Sequence, residues 1–257
     1  MRIALLLAWA AGTAWPQCPP ALLEPGAEFD FLVGSAPEGA SANSFRWLLD
    51  GRAAGEGPVP QLFLLHADGS TLTSLGAAPL AEGRVEFGPG RWGRALAIGG
   101  GGVLTYARQG HLDLGEGALE MWLAARADGS NLIYAERDHV LFHYRAANGD
   151  DLRLAQSRTA GVLYGGGTVE GQWQSAYGSQ ASMRGWQAGE WHHVVFTWSA
   201  AGNFMRFYVD GARTADTNER RYRAPDAGSD RFTLGAEHYW IDEVRIFSRP
   251  LEEAEIR

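Results

Sequence analysis

The chain has 257 residues, 46% hydrophobic and 20% charged, with a net charge of -8 from 22 basic and 30 acidic residues. All the basic residues other than histidine are arginine, so a P-loop lysine and Schiff-base lysine chemistry are excluded, and Cys18 as the single cysteine excludes an internal disulfide, a CxxC redox pair, a cysteine zinc site and a protein-held iron-sulfur cluster. The acidic balance argues against nucleic-acid binding, which needs a basic face, while the length suffices to bury a core in one large all-β domain or two small ones.

The chain opens as a secretory signal peptide over residues 1–14: Arg2, an apolar run from Ile3 to Ala11, then Gly12, Thr13 and Ala14 with small residues at the -3 and -1 positions. This predicts a secreted or cell-envelope protein. The run is too short to span a bilayer, and no other apolar stretch approaches the ~20 residues a membrane helix needs, so no transmembrane segment is expected. Trp15, Pro16 and Gln17 before Cys18 lack the small and aliphatic pattern of a lipidation signal. Residues 15–57 read as a partly ordered spacer, because seven of the eleven prolines fall between Pro16 and Pro60. Within it, Glu28 to Val33 alternates like a strand, and Phe45 to Leu49 is apolar enough to dock.

From residue 58 the pattern changes to short apolar or alternating segments separated by Gly, Asp and Asn. Strands are predicted at Gln61–His66, Ala95–Ile98, Val103–Ala107, Leu119–Ala125, Asn131–Ala135, Val140–Arg145, Leu152–Gln156, Trp191–Trp198, Phe204–Val209, Arg231–Leu234 and Ile241–Phe247. Turn residues at 67–69, 127–129, 148–149 and 210–211 sit between them, where Gly or Asn takes positive φ. The fold class is therefore all-β, a two-sheet antiparallel sandwich. Pro250, Glu252, Glu253 and Arg257 suit the dipole of one or two helical turns at the end.

Several segments then carry a resemblance: Trp186 to Trp198 (WQAGEWHHVVFTW), Met205 to Gly211 (MRFYVDG), Ile241 to Phe247 (IDEVRIF), Leu64 to Ser70 (LLHADGS), Gly90 to Leu96 (GRWGRAL) and Leu119 to Leu123 (LEMWL). Taken in chain order they resemble the laminin G-like jelly roll of the concanavalin A-like lectin and glucanase superfamily over about residues 58–257. The resemblance implies an extracellular recognition or adhesion module, often with a structural calcium. The Gly-rich, aromatic stretch Gly165 to Arg184 fits the pattern poorly. The chain stops soon after the closing motif, which predicts this domain without an attached catalytic partner.

Alternation in Ile241–Phe247 puts Asp242 on the same face as Val244 and Ile246, and an inward carboxylate is costly unless paired, hydrogen-bonded or bound to a cation. With Asp68 in the turn after the first strand, two readings stand: hard oxygen ligands for one structural calcium ion, or acceptors of backbone N–H groups at a strand end. Flat rings that could stack on a sugar are sought in Trp173, Tyr177, Trp186, Tyr239 and Trp240, against the alternative that they pack a long loop onto the sandwich. Trp122, Trp191 and Trp198 lie inside strands and are expected in the core. His192 and His193 are adjacent on a strand, so they face opposite ways; His139 and His143 share a face at about 13 Å, too far to share a metal. Arg220, Arg221 and Arg223 form a small basic patch, a solvated loop or an anion contact.

No catalytic residue is assigned. The string nearest to a retaining-glycanase motif, Glu136 to Leu141, lacks its final Glu, and there is no Gly-x-Ser-x-Gly elbow, the nearest string being Gly39 to Asn43 in the spacer. The sequence is read as a secreted non-catalytic module that binds polysaccharide, other glycan or an extracellular protein surface. A structural or adhesion component of the cell envelope is the alternative, and a glycoside hydrolase with an unrecognised site ranks behind both.

Overall fold

A computed structural model describes residues 61–127, 138–158, 161–216, 222–235 and 237–256 and two short strands before them; the side chains at 177–182 and 215–216 are outside this description. By its contacts the chain divides into Met1–Pro58 and Val59–Arg257. In the first unit, β1 (Leu48–Leu49) pairs antiparallel with β2 (Arg52–Ala53). The rest of the predicted signal peptide and spacer, and the strand predicted at Asn131–Ala135, lie outside the described residues.

The second unit is built from β3 (Gln61–Leu65), β4 (Ala81–Pro89), β5 (Arg94–Ala107), β6 (Glu116–Ala125), β7 (His139–Arg145), β8 (Asp151–Gln156), β9 (Val162–Val169), β10 (Gln172–Ser182), β11 (Trp191–Ser199), β12 (Phe204–Val209), β13 (Ala212–Asp216), β14 (Arg231–Leu234) and β15 (Tyr239–Phe247). They form one curled antiparallel sheet of 13 strands in the order β10-β9-β8-β7-β14-β5-β15-β6-β11-β12-β13, with β3 on β15 and β4 on β5. No α-helix occurs among the described residues; the expected final turns are a 3-10 helix at Glu253–Glu255, where the Glu255 carboxylate takes the Glu252 N–H at 2.8 Å and a two-pronged hydrogen bond from Arg249.

The two strands predicted either side of Gly99 to Gly102 are one strand, β5, that bends there with Gly100 and Gly101 at positive φ. Its first half pairs with β15 and its second with β14, so the single sheet folds over into two facing layers. The alternate, apolar faces meet between them. Leu104, Leu234, Phe142, Leu154, Gly165 and Ala176 make one inward row across six strands. Against it lie Leu119, Met121 and Leu123 of β6 and Val194, Phe196 and Trp198 of β11.

The stretch Gly165 to Arg184 proves to be a hairpin and its exit. Glu170 and Gly171 both have positive φ and link Val169 to Gln172, a two-residue turn whose twist suits a hairpin. Three glycines hid β9, since a side-chain alternation cannot be read where there are no side chains. Their absence has a use: a Cβ on Gly165 would lie 2.1 Å from Phe196 of the opposite layer. β4 was missed because Gly83, Gly88 and Pro89 dilute its alternation, and β13 because its five residues are mostly small or charged.

The outer face of the β15-β6-β11 layer holds a charged row. Glu243 joins His66 (2.5 Å) and Arg245 (2.7 Å), and Glu120 joins His193 (2.6 Å) with Arg245 at 3.8 Å. Glu243 sits at positive φ in a bulge of β15, which turns its carboxylate toward both partners. Trp122, expected in the core, belongs to this face: it alternates with inward Met121 and Leu123, stacks on His193 and carries the Arg91 guanidinium 4.8 Å away. Trp191 is half-buried, and Trp198 alone of the three is fully enclosed.

Candidate functional site: the polar face of the six-stranded layer

The outward residues of β5, β14, β7, β8, β9 and β10 fall into a continuous row, Thr105, Thr233, His143, Arg153, Gly166 and Ser175, each the cross-strand partner of the next. Period-2 geometry makes this row the reverse of the apolar one, so a strand that contributes Leu154 inward must present Arg153 outward. At the β10 end Trp173 is 41% exposed, the one outward-facing tryptophan on this layer among the described residues. Its Nε1–H donates to Ser175 Oγ at 3.1 Å, Tyr164 meets it edge-on with ring centroids 5.6 Å apart, and the Arg153 guanidinium lies 5.3 Å from the ring centre. Between Arg153 and Ser175 the row has Gly166, where β10 lies so close that a Cβ would come within 2.3 Å of the Gln174 carbonyl oxygen.

Arg153 is held from below. Asp151 Oδ2 accepts its Nε–H at 2.5 Å and lies 3.2 Å from His143 Nε2, while Oδ1 accepts the Thr168 N–H at 2.7 Å. Burial pushes the Asp151 carboxyl up, but the hydrogen bonds from His143, Arg153 and Thr168 outweigh it and bring it to about 2. Tyr164 is tied the same way, its hydroxyl donating to Asp138 Oδ2 at 2.7 Å, and burial with that carboxylate holds the phenol far into the protonated range. The result is a pre-set arrangement of ring, guanidinium and hydroxyl groups on a rigid sheet.

The aromatic residues singled out by sequence do not share one place. Trp173 lies on the polar face. Tyr177 pairs through its backbone with Tyr164, and its side chain is outside the described residues. Trp186 is buried and stacks on His192 at 3.7 Å, and Tyr239 is 1% exposed with its hydroxyl on Gln156 and Met183. Neither ring offers an exposed face for stacking: Trp186 packs where the stretch that looked like a loop is a strand closing the sandwich, and Tyr239 is buried at the start of β15. Trp240 is half-buried at the other layer, under the Arg126 guanidinium at 4.7 Å and against Gly88, where a Cβ would come within 2.6 Å of its ring. Arg153, Tyr164, Asp151, His143 and Asp138 were missed as a group; the alternation Asp151, Arg153, Ala155 on β8 was legible, but without β9 it had no neighbour to join.

His192 and His193 face opposite ways: His192 meets Asp210 at 2.8 Å and Trp186, His193 meets Glu120. His139 adjoins His238 with ring centroids 4.2 Å apart, and His143 adjoins Asp151. Arg223 pairs with Glu170 at 2.6 Å; Arg220 and Arg221 lie outside the described residues. Asp68 and Asp242 meet the same turn: Asp68 Oδ1 accepts the Arg94 N–H at 2.7 Å, Asp242 Oδ2 the Trp92 N–H at 3.1 Å, and Asp242 Oδ1 the Glu243 N–H at 2.9 Å. Burial pushes the fully enclosed Asp242 carboxyl up to about 7 against those amides, and the neighbouring Glu243 adds to the rise. No group of three or more His, Cys, Asp or Glu able to hold a metal occurs among the described residues.

Two facing antiparallel layers with a bent strand passing between them and a polar outer face define an all-β jelly roll of the kind found in lectins and glycan-active proteins. Residues 99–257 match the laminin G-like family model of the concanavalin A-like lectin/glucanases superfamily, and the chain belongs to that family. No curated protein matches the chain. Among solved structures it is similar in fold to the botulinum neurotoxin serotype D binding domain (12% identity, TM-score 0.58, 76% of this chain and 50% of that one). It is also similar to domain 4 of AbnA, a GH43 extracellular arabinanase from Geobacillus stearothermophilus in complex with arabinotriose (16%, TM-score 0.56, 76% and 96%). A Trypanosoma rangeli sialidase matches at 16% identity and TM-score 0.51, over 78% of this chain and 33% of that one. The chain thus spans half of the toxin binding domain and a third of the sialidase, and nearly all of the arabinanase domain. No helix among the described residues is long and apolar enough to cross a membrane.

Proposed function

We propose that this protein is an exported, non-catalytic glycan-recognition module that binds saccharide on the polar face of β5-β14-β7-β8-β9-β10. The observation that carries the reading is Trp173: an exposed ring beside a positioned Arg153 and the Tyr164 ring. A flat indole takes the apolar face of a pyranose or furanose ring, and the polar row supplies hydroxyl partners that fix its orientation. The fold likeness to an arabinanase domain in complex with arabinotriose supports a sugar ligand. Export rests on the signal-like residues 1–14.

Calcium enters this proposal at the corner of Asp68 and Asp242. The two carboxylates there are of the hard-oxygen type calcium takes, and a cation beside Asp242 would offset the cost of burying its charge. Protein-surface recognition is the second reading, favoured by Leu72, Leu75 and Leu80, three leucines more than half exposed between β3 and β4.

The test is a glycan array followed by titration calorimetry on wild type and Trp173→Ala. Saturable binding to one glycan class, weakened at least about tenfold by Trp173→Ala, is expected; tenfold is ~1.4 kcal/mol, within the ~1–3 kcal/mol that an aromatic side chain contributes to a nucleic-acid base stacked on it. Binding that survives Trp173→Ala unchanged refutes the assignment of the face.

A further inference from the structure

The polar face runs into a cleft. The start of β7, the approach to β15 and the bend of β5 enclose about 190 Å³, with Gly101, Gly102, Asp138, His139, Glu237 and Tyr239 among its lining residues. That volume is too small for a folded partner segment and suited to one small polar ring. It is joined to Trp173 through side chains already in place: Tyr164 is edge-on to Trp173 and donates its hydroxyl to Asp138, which lines the cleft.

The lining has a definite chemistry. Gly101 and Gly102 expose bare backbone, and Tyr239 closes the inner side as a buried ring. Asp138 supplies a carboxylate and accepts the Arg158 main-chain N–H at 3.0 Å and the Tyr164 hydroxyl at 2.7 Å. Glu237 adds a second carboxylate, with His238 Nε2 4.0 Å away, and His139 adds an imidazole edge-on to His238. Carboxylates and imidazoles accept hydrogen bonds from ring hydroxyls; the same carboxylates repel a second anion, and a repulsive element of this kind is how a site rejects a competitor.

We propose that this cleft is a terminal subsite, receiving the end ring of a saccharide laid along the Trp173 face, and that it selects neutral or amine-bearing sugars over those carrying a carboxylate or sulfate. This rests on the glycan reading above. Calorimetry on the full chain at pH 7.5 tests it with three probes: a panel of neutral oligosaccharides, oligomers of glucosamine, and oligomers of uronic acid. Neutral or amino oligomers are expected to bind at least about tenfold tighter than the acidic ones. Asp138→Asn and Glu237→Gln, which keep an acceptor oxygen and remove the charge, are expected to narrow that gap. Val103→Phe fills the cleft from β5 without altering either carboxylate, and is expected to weaken neutral-sugar binding about tenfold at unchanged melting temperature. Acidic oligomers that bind as tightly as neutral ones, or Val103→Phe that binds as wild type, overturn the subsite. If Trp173→Ala abolishes binding while Val103→Phe does not change it, the cleft falls and the glycan face stands; if no saccharide of any class binds the folded protein, both fall.

Discussion

Adding one methyl at Gly165 tests whether the two layers meet as described. A Cβ there would lie 2.1, 2.4 and 2.5 Å from three ring atoms of Phe196, where ordinary contacts begin near 3.4 Å. Relief requires a shift of more than an ångström, either of a fully buried ring packed on Trp198 (centroids 5.4 Å apart) or of β9 away from β11. Overpacking of a well-filled core costs ~1–3 kcal/mol, and a clash this deep belongs at the upper part of that range. For a folded unit of this size ~2–3 kcal/mol lowers Tm by ~4–12 °C. Gly185→Ala is the control, since a Cβ there meets nothing within 4 Å and Gly185 is not among the positive-φ glycines. The assay is thermal unfolding by circular dichroism with urea denaturation alongside. A Gly165→Ala variant within a degree of wild type, or a Gly185→Ala variant that falls as far, would refute the layer assignment.

Glu120→Ala removes the carboxylate that serves buried His193 and Arg245, and is expected to cost ~3–5 kcal/mol, read as a lower urea midpoint, with Glu120→Gln milder because it keeps an acceptor. Asp151 is held at about 2 when folded against 3.8 unfolded, so the unfolded state takes up its proton first as pH falls; about 2 kcal/mol of stability, complete above pH ~5, is expected to be lost between pH ~5 and 2. Asp151→Asn should flatten that part of the stability profile, and an unaltered profile would refute the network. Calcium at the Asp68 and Asp242 corner is expected to raise Tm in millimolar calcium over chelator, an increment that Asp242→Asn abolishes; equal Tm values in calcium and chelator would leave both acids as acceptors of main-chain amides.

The sequence by itself determined the all-β class and most of the strands, because period-2 alternation and turn residues are local properties of the chain. Phe204–Val209 and Arg231–Leu234 have the predicted ends, and Asp210 with Gly211 makes the expected turn with positive φ at both residues. The opposed directions of His192 and His193 followed from the same alternation. What only the tertiary structure decided was which rings face solvent. Trp186 and Tyr239 stood open between stacking on a ligand and packing until the strands were paired, and Trp122 read as buried because its strand has an apolar inner face and a partly covered outer one. The polar row from Thr105 to Ser175 draws on six strands far apart in the chain, so its register exists only once β9 and β10 are paired with β8. Cross-strand neighbours are set by the folding of the sheet over the bend in β5, a non-local event that no window of sequence contains.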